Sequence, residues 1–269
     1  MLFQIKSYLQ FLWNSKNEHA VHSPFVFTLI TKCFYDTKSK PEYAVLKEYS
    51  NSLLKNHNTI EVNDFGAGSK VFKSNKREIS KIVKTAGISP KRAELLFRIV
   101  TYFQPDSILE IGTSLGLATS ALSLGNLKAK ITTLEGCPET SKIAQEHFQK
   151  FNFNNVNSVV TEFESYLRNY EQPKITDSLG IPPLGARGLI YFDGNHQKQA
   201  TLDYFELLLP TVTNDTLWIF DDIHWSPEME EAWEIIKNHP KVTVTIDTFQ
   251  WGLVFFRREQ PKEHFTIRL

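Results

Sequence analysis

The chain has 269 residues and carries 30 Lys and Arg against 30 Asp and Glu, a formal net charge of zero. A hydrophobic share of 41% that includes 20 Phe excludes a disordered chain, and the only two cysteines, Cys33 and Cys137, exclude a disulfide framework or a Cys-rich zinc site. No apolar run approaches ~18 residues, so no membrane span is expected.

The first 98 residues read as a mostly helical N-terminal extension. Its apolar, aromatic start (1–13) lacks a cleavage pattern and a basic leader, so it reads as a packing helix and not a signal peptide. A cytoplasmic location is expected. His22-Ser-Pro-Phe25 opens a helix that runs through about Phe34, and another is expected over 41–54. Asp64-Phe-Gly-Ala-Gly-Ser69 is a glycine-punctuated loop, and helices follow over 77–86 and 90–103. The extension holds 16 Lys and Arg against 8 Asp and Glu, whereas residues 99–269 hold 14 against 22. The excess is densest between Lys70 and Arg98, at Lys73, Lys76, Arg77, Lys81, Lys84, Lys91 and Arg92. Such a run reads first as a solvated helix face and second as a site for an anionic partner such as RNA. No aromatic-interleaved RNA motif accompanies it.

From Ser107 onward strands and helices alternate, which sets off residues 99–269 as one α/β domain. Strands are expected over 107–111, 129–134, 156–160, 189–193, 216–221, 242–247 and 252–257. Helices are expected over 117–124, 138–151, 162–170, 199–209 and 227–237, and a Pro/Gly loop over 173–188. This rhythm predicts a mostly parallel, doubly wound, Rossmann-like sheet flanked by helices. The last two strands are separated only by residues around Phe249-Gln-Trp251. That link is too short for a crossover, so they form an antiparallel terminal hairpin.

The stretch Ile108-Leu-Glu-Ile-Gly-Thr-Ser-Leu-Gly116 carries most of the functional information. A short strand empties through glycines onto a helix N-terminus, which lets backbone amides approach a ligand. Glu110 at the strand's end suits an ammonium or a hydroxyl better than a phosphate. Glu135, 25 positions on and at the end of the next strand, is placed to accept from both hydroxyls of a ribose. Other readings are open. Ser114 stands where a dinucleotide fingerprint needs its second glycine, which disfavours NAD or FAD. Gly112-Thr-Ser-Leu-Gly116 also matches the nucleophile elbow of α/β hydrolases, with Ser114 as nucleophile. Such elbows follow several earlier strands, whereas the residues upstream here read helical or irregular. A turn that binds nothing is the plainest alternative.

Glu-x-Gly-x-x-x-Gly with the second acid resembles class I S-adenosylmethionine (SAM)-dependent methyltransferases. The resemblance implies that SAM is held by Glu110, Gly112, Thr113, Ser114, Gly116, Glu135 and Asp193. Further strand ends carry Asp193-Gly-Asn-His196 and Asp221-Asp-Ile-His224. Three carboxylates close together repel unless they are protonated or bound to a cation, and hard oxygen ligands suit Mg²⁺ or Mn²⁺. A cap or solvated acids would explain the same residues. Residues 105–257 resemble the cation-dependent O-methyltransferases that act on catechols and on sugar hydroxyls. That likeness implies a divalent ion at Asp193, Asp221 and Asp222, with His224 as general base and His196 as the second candidate. The lysine base of the catechol enzymes has no counterpart, since Asn195 and Gln197 flank His196. The expected activity is methylation of a hydroxylated small molecule, with the extension capping the acceptor side. RNA methylation, including of tRNA, is the alternative acceptor class, and the sequence leaves oligomeric state open.

Overall fold

The computed structural model describes residues 2–63, 74–170 and 187–269. The loop 64–69, Lys70, Lys73 and most of the Pro/Gly loop at 173–188 lie outside the described residues. In chain order come α1 (Leu2–Asn14), α2 (Pro24–Leu29, continued by a π-helical turn, Ile30–Phe34), α3 (Pro41–Leu54), β1 (Thr59–Glu61), β2 (Lys76–Glu78), α4 (Ile79–Ala86) and α5 (Pro90–Phe103). Then follow β3 (Ser107–Ile111), α6 (Leu117–Gly125), β4 (Lys130–Glu135), α7 (Pro138–Lys150), β5 (Val156–Val160), α8 (Phe163–Tyr170), β6 (Gly188–Phe192) and α9 (Lys198–Leu208). The last elements are β7 (Leu217–Asp221), α10 (Pro227–Asn238), β8 (Val244–Asp247), β9 (Trp251–Phe255) and β10 (Glu263–Thr266).

Local chemistry sets the helix starts. Ser23, Ser89 and Ser226 each precede a proline at the first helical position, and each serine hydroxyl accepts from the amide three residues on. The hydroxyl satisfies an orphan amide, and proline's fixed φ suits the first turn.

Eight strands form one sheet in the order β10-β8-β9-β7-β6-β3-β4-β5. β9 is antiparallel to both its neighbours, and every other pairing is parallel. This is the expected Rossmann-like architecture, with three strands beyond those expected from the sequence. β10 adds to β8 at the sheet edge, where the chain after α1 covers it: Lys16 donates its amide to the Thr266 carbonyl at 2.8 Å. β1 and β2 form a separate antiparallel pair.

The central strands β3, β6, β7 and β9 are buried along their whole length. Near-continuous apolar runs of this kind belong to strands covered on both faces. On one face Leu109, Ile111, Ile190, Phe192, Trp218 and Phe220 pack against α8, α9 and α10. On the other, Ile108, Leu189, Tyr191, Leu217 and Ile219 pack against α6 and against helices of the extension, through Val26, Leu29, Ile30, Phe34, Leu96 and Val100. Residues 1–98 therefore share the core of the sheet, and position 98 falls inside α5. The sequence reading made that position a boundary because strand–helix alternation begins just after it. The structure shows one core running across it.

Close packing leaves β9 little room. A methyl on Gly252 would come within 2.5 Å of the Trp233 ring on α10. Gly252→Val should therefore destabilise the protein by about 1–3 kcal/mol through overpacking. Equilibrium urea unfolding should show a lower midpoint with an unchanged slope, and an unaltered midpoint would mean that α10 yields freely at this contact.

Candidate active site at the carboxyl ends of the strands

β4 and β6 flank β3 on opposite sides, so strand order reverses at β3, the usual place for a ligand crevice in an open α/β sheet. The turn after β3 closes the crevice floor. The Asp193 amide donates to the Ile111 carbonyl at 2.9 Å, and a methyl on Gly112 (φ 104°) would meet the Asp193 carbonyl at 2.3 Å. Gly112 is thus required both by its left-handed backbone and by the close approach of β6. Gly116 (φ 77°) begins α6, and its missing side chain makes room for Phe148 and for the Tyr49 hydroxyl, which donates to the Leu115 carbonyl at 2.9 Å. The extension is packed against the turn itself.

The two acids read from the sequence meet at this turn. Both oxygens of Glu135 accept backbone amides, from Ser114 at 2.8 Å and from Cys137 at 2.9 Å. The carboxylate thereby ties the β3 turn to the start of α7 and sits at the crevice edge. Glu110 is fully buried, and one of its oxygens accepts from the hydroxyls of Thr119 at 2.5 Å and Thr133 at 2.6 Å. Burial pushes its carboxyl up to about 8, against the pull of those two hydroxyls. Its other oxygen has no hydrogen-bond partner. Thr113 turns inward onto the Thr133 hydroxyl, so its side chain serves the turn and not the crevice. An orphaned carboxyl oxygen under the turn and a carboxylate at the end of the next strand fit the donor-rich ribose and ammonium groups of SAM. Cys137, just beyond Glu135, is buried, with its thiol bonded to the Glu61 carbonyl and the Asn63 amide. Ser114 lies after the first strand of the main sheet, since among the described residues only the detached β1–β2 pair precedes β3. The hydrolase elbow therefore lacks its setting.

The acids of β6 and β7 do come together, and a side chain of the extension joins them. Arg92, in the first turn of α5, forms an ion pair with Asp221, and its guanidinium carbon lies 5.0 Å over the Trp251 ring. Burial, with the charges of Asp221 and Asp222, pushes Asp193 well above the carboxylate range. Burial and then Asp221 push Asp222 up to about 6. These residues do not fit a divalent ion. Among the described residues no group of three or more His, Cys, Asp or Glu side chains is placed to hold one. A dication on Asp221 would also face the guanidinium at ~4 Å, a repulsion of roughly 8 kcal/mol at an effective dielectric of 20. At the acids where Mg²⁺ or Mn²⁺ was expected, Asp193, Asp221 and Asp222, the structure places the Arg92 guanidinium against Asp221. The sequence showed the acids but not the cation supplied from 129 positions upstream.

His224, expected as the general base, is engaged at both ring nitrogens. Its Nδ1 lies 2.6 Å from Glu230 and its Nε2 lies 2.8 Å from Asp247, while the ring stacks on Phe249 at 5.1 Å. Burial alone would lower its pKa, but Asp247 and then Glu230 outweigh that and hold it above the ordinary value. With carboxylates engaging both ring nitrogens, neither is turned towards the crevice to receive a substrate proton. Ser7 of α1 bonds both His224 and Glu230, so this cluster docks the N-terminal helix. His196 is the histidine at the crevice: its Nε2 is 3.7 Å from Asp193, and its backbone, like that of Asn195, is left-handed. Two successive strained residues at a strand end mark a loop held for a purpose. The basic run loses members to the interior as well. Arg92 is spent on Asp221, and Arg98 donates to the carbonyls of Cys33 and Phe34 and to the Tyr43 hydroxyl.

Glu110 gives a test of this arrangement in the absence of ligand. Its folded pKa, about 8, lies above the ordinary 4.5, so the folded state holds a proton that the unfolded chain releases earlier. The stability it contributes is complete below pH 4.5 and is lost as pH rises towards 8. Glu110→Gln should remove that loss, so the melting temperature of the variant should gain on the wild type from pH 5 to pH 8. Parallel curves would show that Glu110 is ionised in the folded protein.

Residues 109–223, from β3 to just beyond β7, match the family of methyltransferase domains. No curated protein matches the sequence. Among solved structures, the chain is similar to the SAH-bound methyltransferase PaMTH1 of Podospora anserina, with a TM-score of 0.57 and 14% identity over 88% of this chain and 97% of that one. It is similar to the O-methyltransferase of Bacillus cereus in complex with SAH, with a TM-score of 0.54 and 17% identity over 86% and 97%. It is likewise similar to TomG, an O-methyltransferase of Streptomyces achromogenes in complex with SAM, with a TM-score of 0.55 and 13% identity over 85% and 95%. At these identities the likeness establishes the fold, and the family segment covers the β3 turn, Glu135 and both acidic strand ends. Residues 109–223 thus resemble a methyltransferase domain, set on a Rossmann-like fold shared with these solved structures.

Proposed function

We propose that this protein methylates a hydroxyl oxygen of a small molecule bound between the β3 turn and the ends of β6 and β7. The observation that supports this most is the backbone bond from Asp193 to Ile111, which sets an acid and its neighbouring His196 beside the cofactor turn. When bound, SAM would supply an electrophilic methyl group whose cationic sulfur departs with the C–S electron pair as the acceptor oxygen bonds the methyl carbon. Glu135 would accept from the ribose hydroxyls, and Glu110 would underpin the turn. His196 takes the acceptor's proton, and Asp193 orients the imidazole. Apolar walls from Phe192 and Phe220 keep water from this end of the crevice, which favours in-line alignment. The inward use of Arg92 and Arg98 withdraws two members of the basic run from contact with an RNA acceptor.

Turnover of SAM by the purified protein on a panel of hydroxylated compounds is the direct test. Calorimetric titration with S-adenosylhomocysteine (SAH) should show binding that Glu135→Ala weakens about 10–150-fold, the worth of a hydrogen bond to a charged group. Absence of heat with the wild type would remove the cofactor assignment. His196→Asn should leave SAH affinity unchanged and lower kcat ~10²–10⁴-fold, as loss of a positioned base does. An unchanged kcat would leave acceptor deprotonation to another group.

A further inference from the structure

The carboxylates at the ends of β6 and β7 are matched by a cation that belongs to the chain itself. Arg92 stands at the third position of α5, where Ser89 caps the helix through the Arg92 amide. A positive charge in the first turn of a helix opposes the helix dipole, so its placement there requires compensation. Asp221 provides that compensation, and the Trp251 ring flanks the guanidinium. α5 cannot swing away, because Leu95, Leu96, Ile99 and Val100 are buried in the shared core. The guanidinium has five donors. Asp221 accepts from one terminal nitrogen, Nε is buried without a hydrogen-bond partner, and the side chain remains one-fifth exposed.

We infer that Arg92 is the resident cation of the acceptor site: it holds Asp221 on one side and offers its remaining N–H groups to an oxyanion of the acceptor, in the position where a divalent ion would otherwise act. The inference rests on the methyltransferase reading of the crevice and deepens it. Its consequence is an acceptor whose reacting group is, or lies beside, an acidic oxygen such as a phenol, an enol or a carboxylate. A planar fork recognises such a group through paired hydrogen bonds that an ammonium cannot reproduce. The cation is supplied from outside the family-matched residues 109–223, by the extension.

The test uses the full-length protein saturated with SAH and needs no known acceptor for its first arm. Titration with Mn²⁺, followed by electron paramagnetic resonance, should show no stoichiometric uptake by the wild type. One-to-one uptake that Asp221→Asn abolishes would overturn the inference. Once an acceptor is found, turnover should persist after exhaustive EDTA treatment. Loss of turnover restored by Mn²⁺ would likewise overturn it. Arg92→Met should keep SAH affinity, raise the acceptor's KM about 10–150-fold and move kcat less, with Arg92→Lys recovering only part. Unchanged acceptor kinetics in Arg92→Met would exclude contact with the substrate. Should that variant fail to fold, the wild-type Mn²⁺ and EDTA arms decide alone. Failure of SAH to bind would remove the methyltransferase reading, while the Mn²⁺ arm would still report on the cluster.

Discussion

Parallel strands deliver their last residues to one edge of a sheet, and in this protein those residues include acids on neighbouring strands. Like charges brought that close raise one another's pKa and weaken the fold unless something answers them. Here the answer is the Arg92–Asp221 ion pair, backed by Trp251. Much else follows from it. α5 must lie across the sheet with its N-terminus at the crevice, the helices of the extension must pack behind α5, and Trp251 must stand at the start of β9. A buried pair of this kind stabilises little by itself, since desolvation offsets the attraction. Its value lies in fixing where the extension meets the sheet.

The extension therefore does more than cover a finished domain. It supplies one layer of the core, it supports the β3 turn through Tyr49, and it closes the edge beyond β10 through Lys16. α1 is fastened by polar and aromatic contacts together: Ser7 to His224 and Glu230, and Tyr8 and Phe11 around Phe249. His224, which the sequence pattern offered as a catalytic base, serves this fastening. The outward side of the same helix leaves Leu2, Leu9 and Trp13 exposed.

The α/β architecture was legible in the sequence because its signals are local. β3 and β5 were read at their observed bounds, as were α3 and α5, since apolar runs and Ser-Pro or Pro starts mark them within a few residues. β10 escaped because Glu263-His-Phe-Thr266 is a four-residue edge strand with a single buried position. β1 and β2 escaped for a similar reason, being three residues each and mostly polar. In the site, Glu110 and Glu135 could be paired from their spacing, because adjacent parallel strands fix the separation of their ends. The partners that decide protonation and charge could not. Thr119 and Thr133 look like ordinary polar residues inside apolar elements, and Arg92 looks like one more member of a basic run. Aspartate-histidine spacing was identical in form at Asp221-Asp-Ile-His224 and Asp193-Gly-Asn-His196. Only the positions of Glu230 and Asp247 separate a bridging histidine from one at the crevice.

The two sides of the crevice differ in the length of chain they must bring together. Glu110 and Thr133 are 23 positions apart, whereas Arg92 and Asp221 are separated by 129. For a flexible chain the entropy of closing the longer loop costs about 1.5 kcal/mol more. Contacts distant in sequence also form late in folding, after local ones have narrowed the search. The bond from Thr133 to Glu110 can thus form within one β-α-β segment, whereas the ion pair of Arg92 with Asp221 must wait for α5 to meet β7.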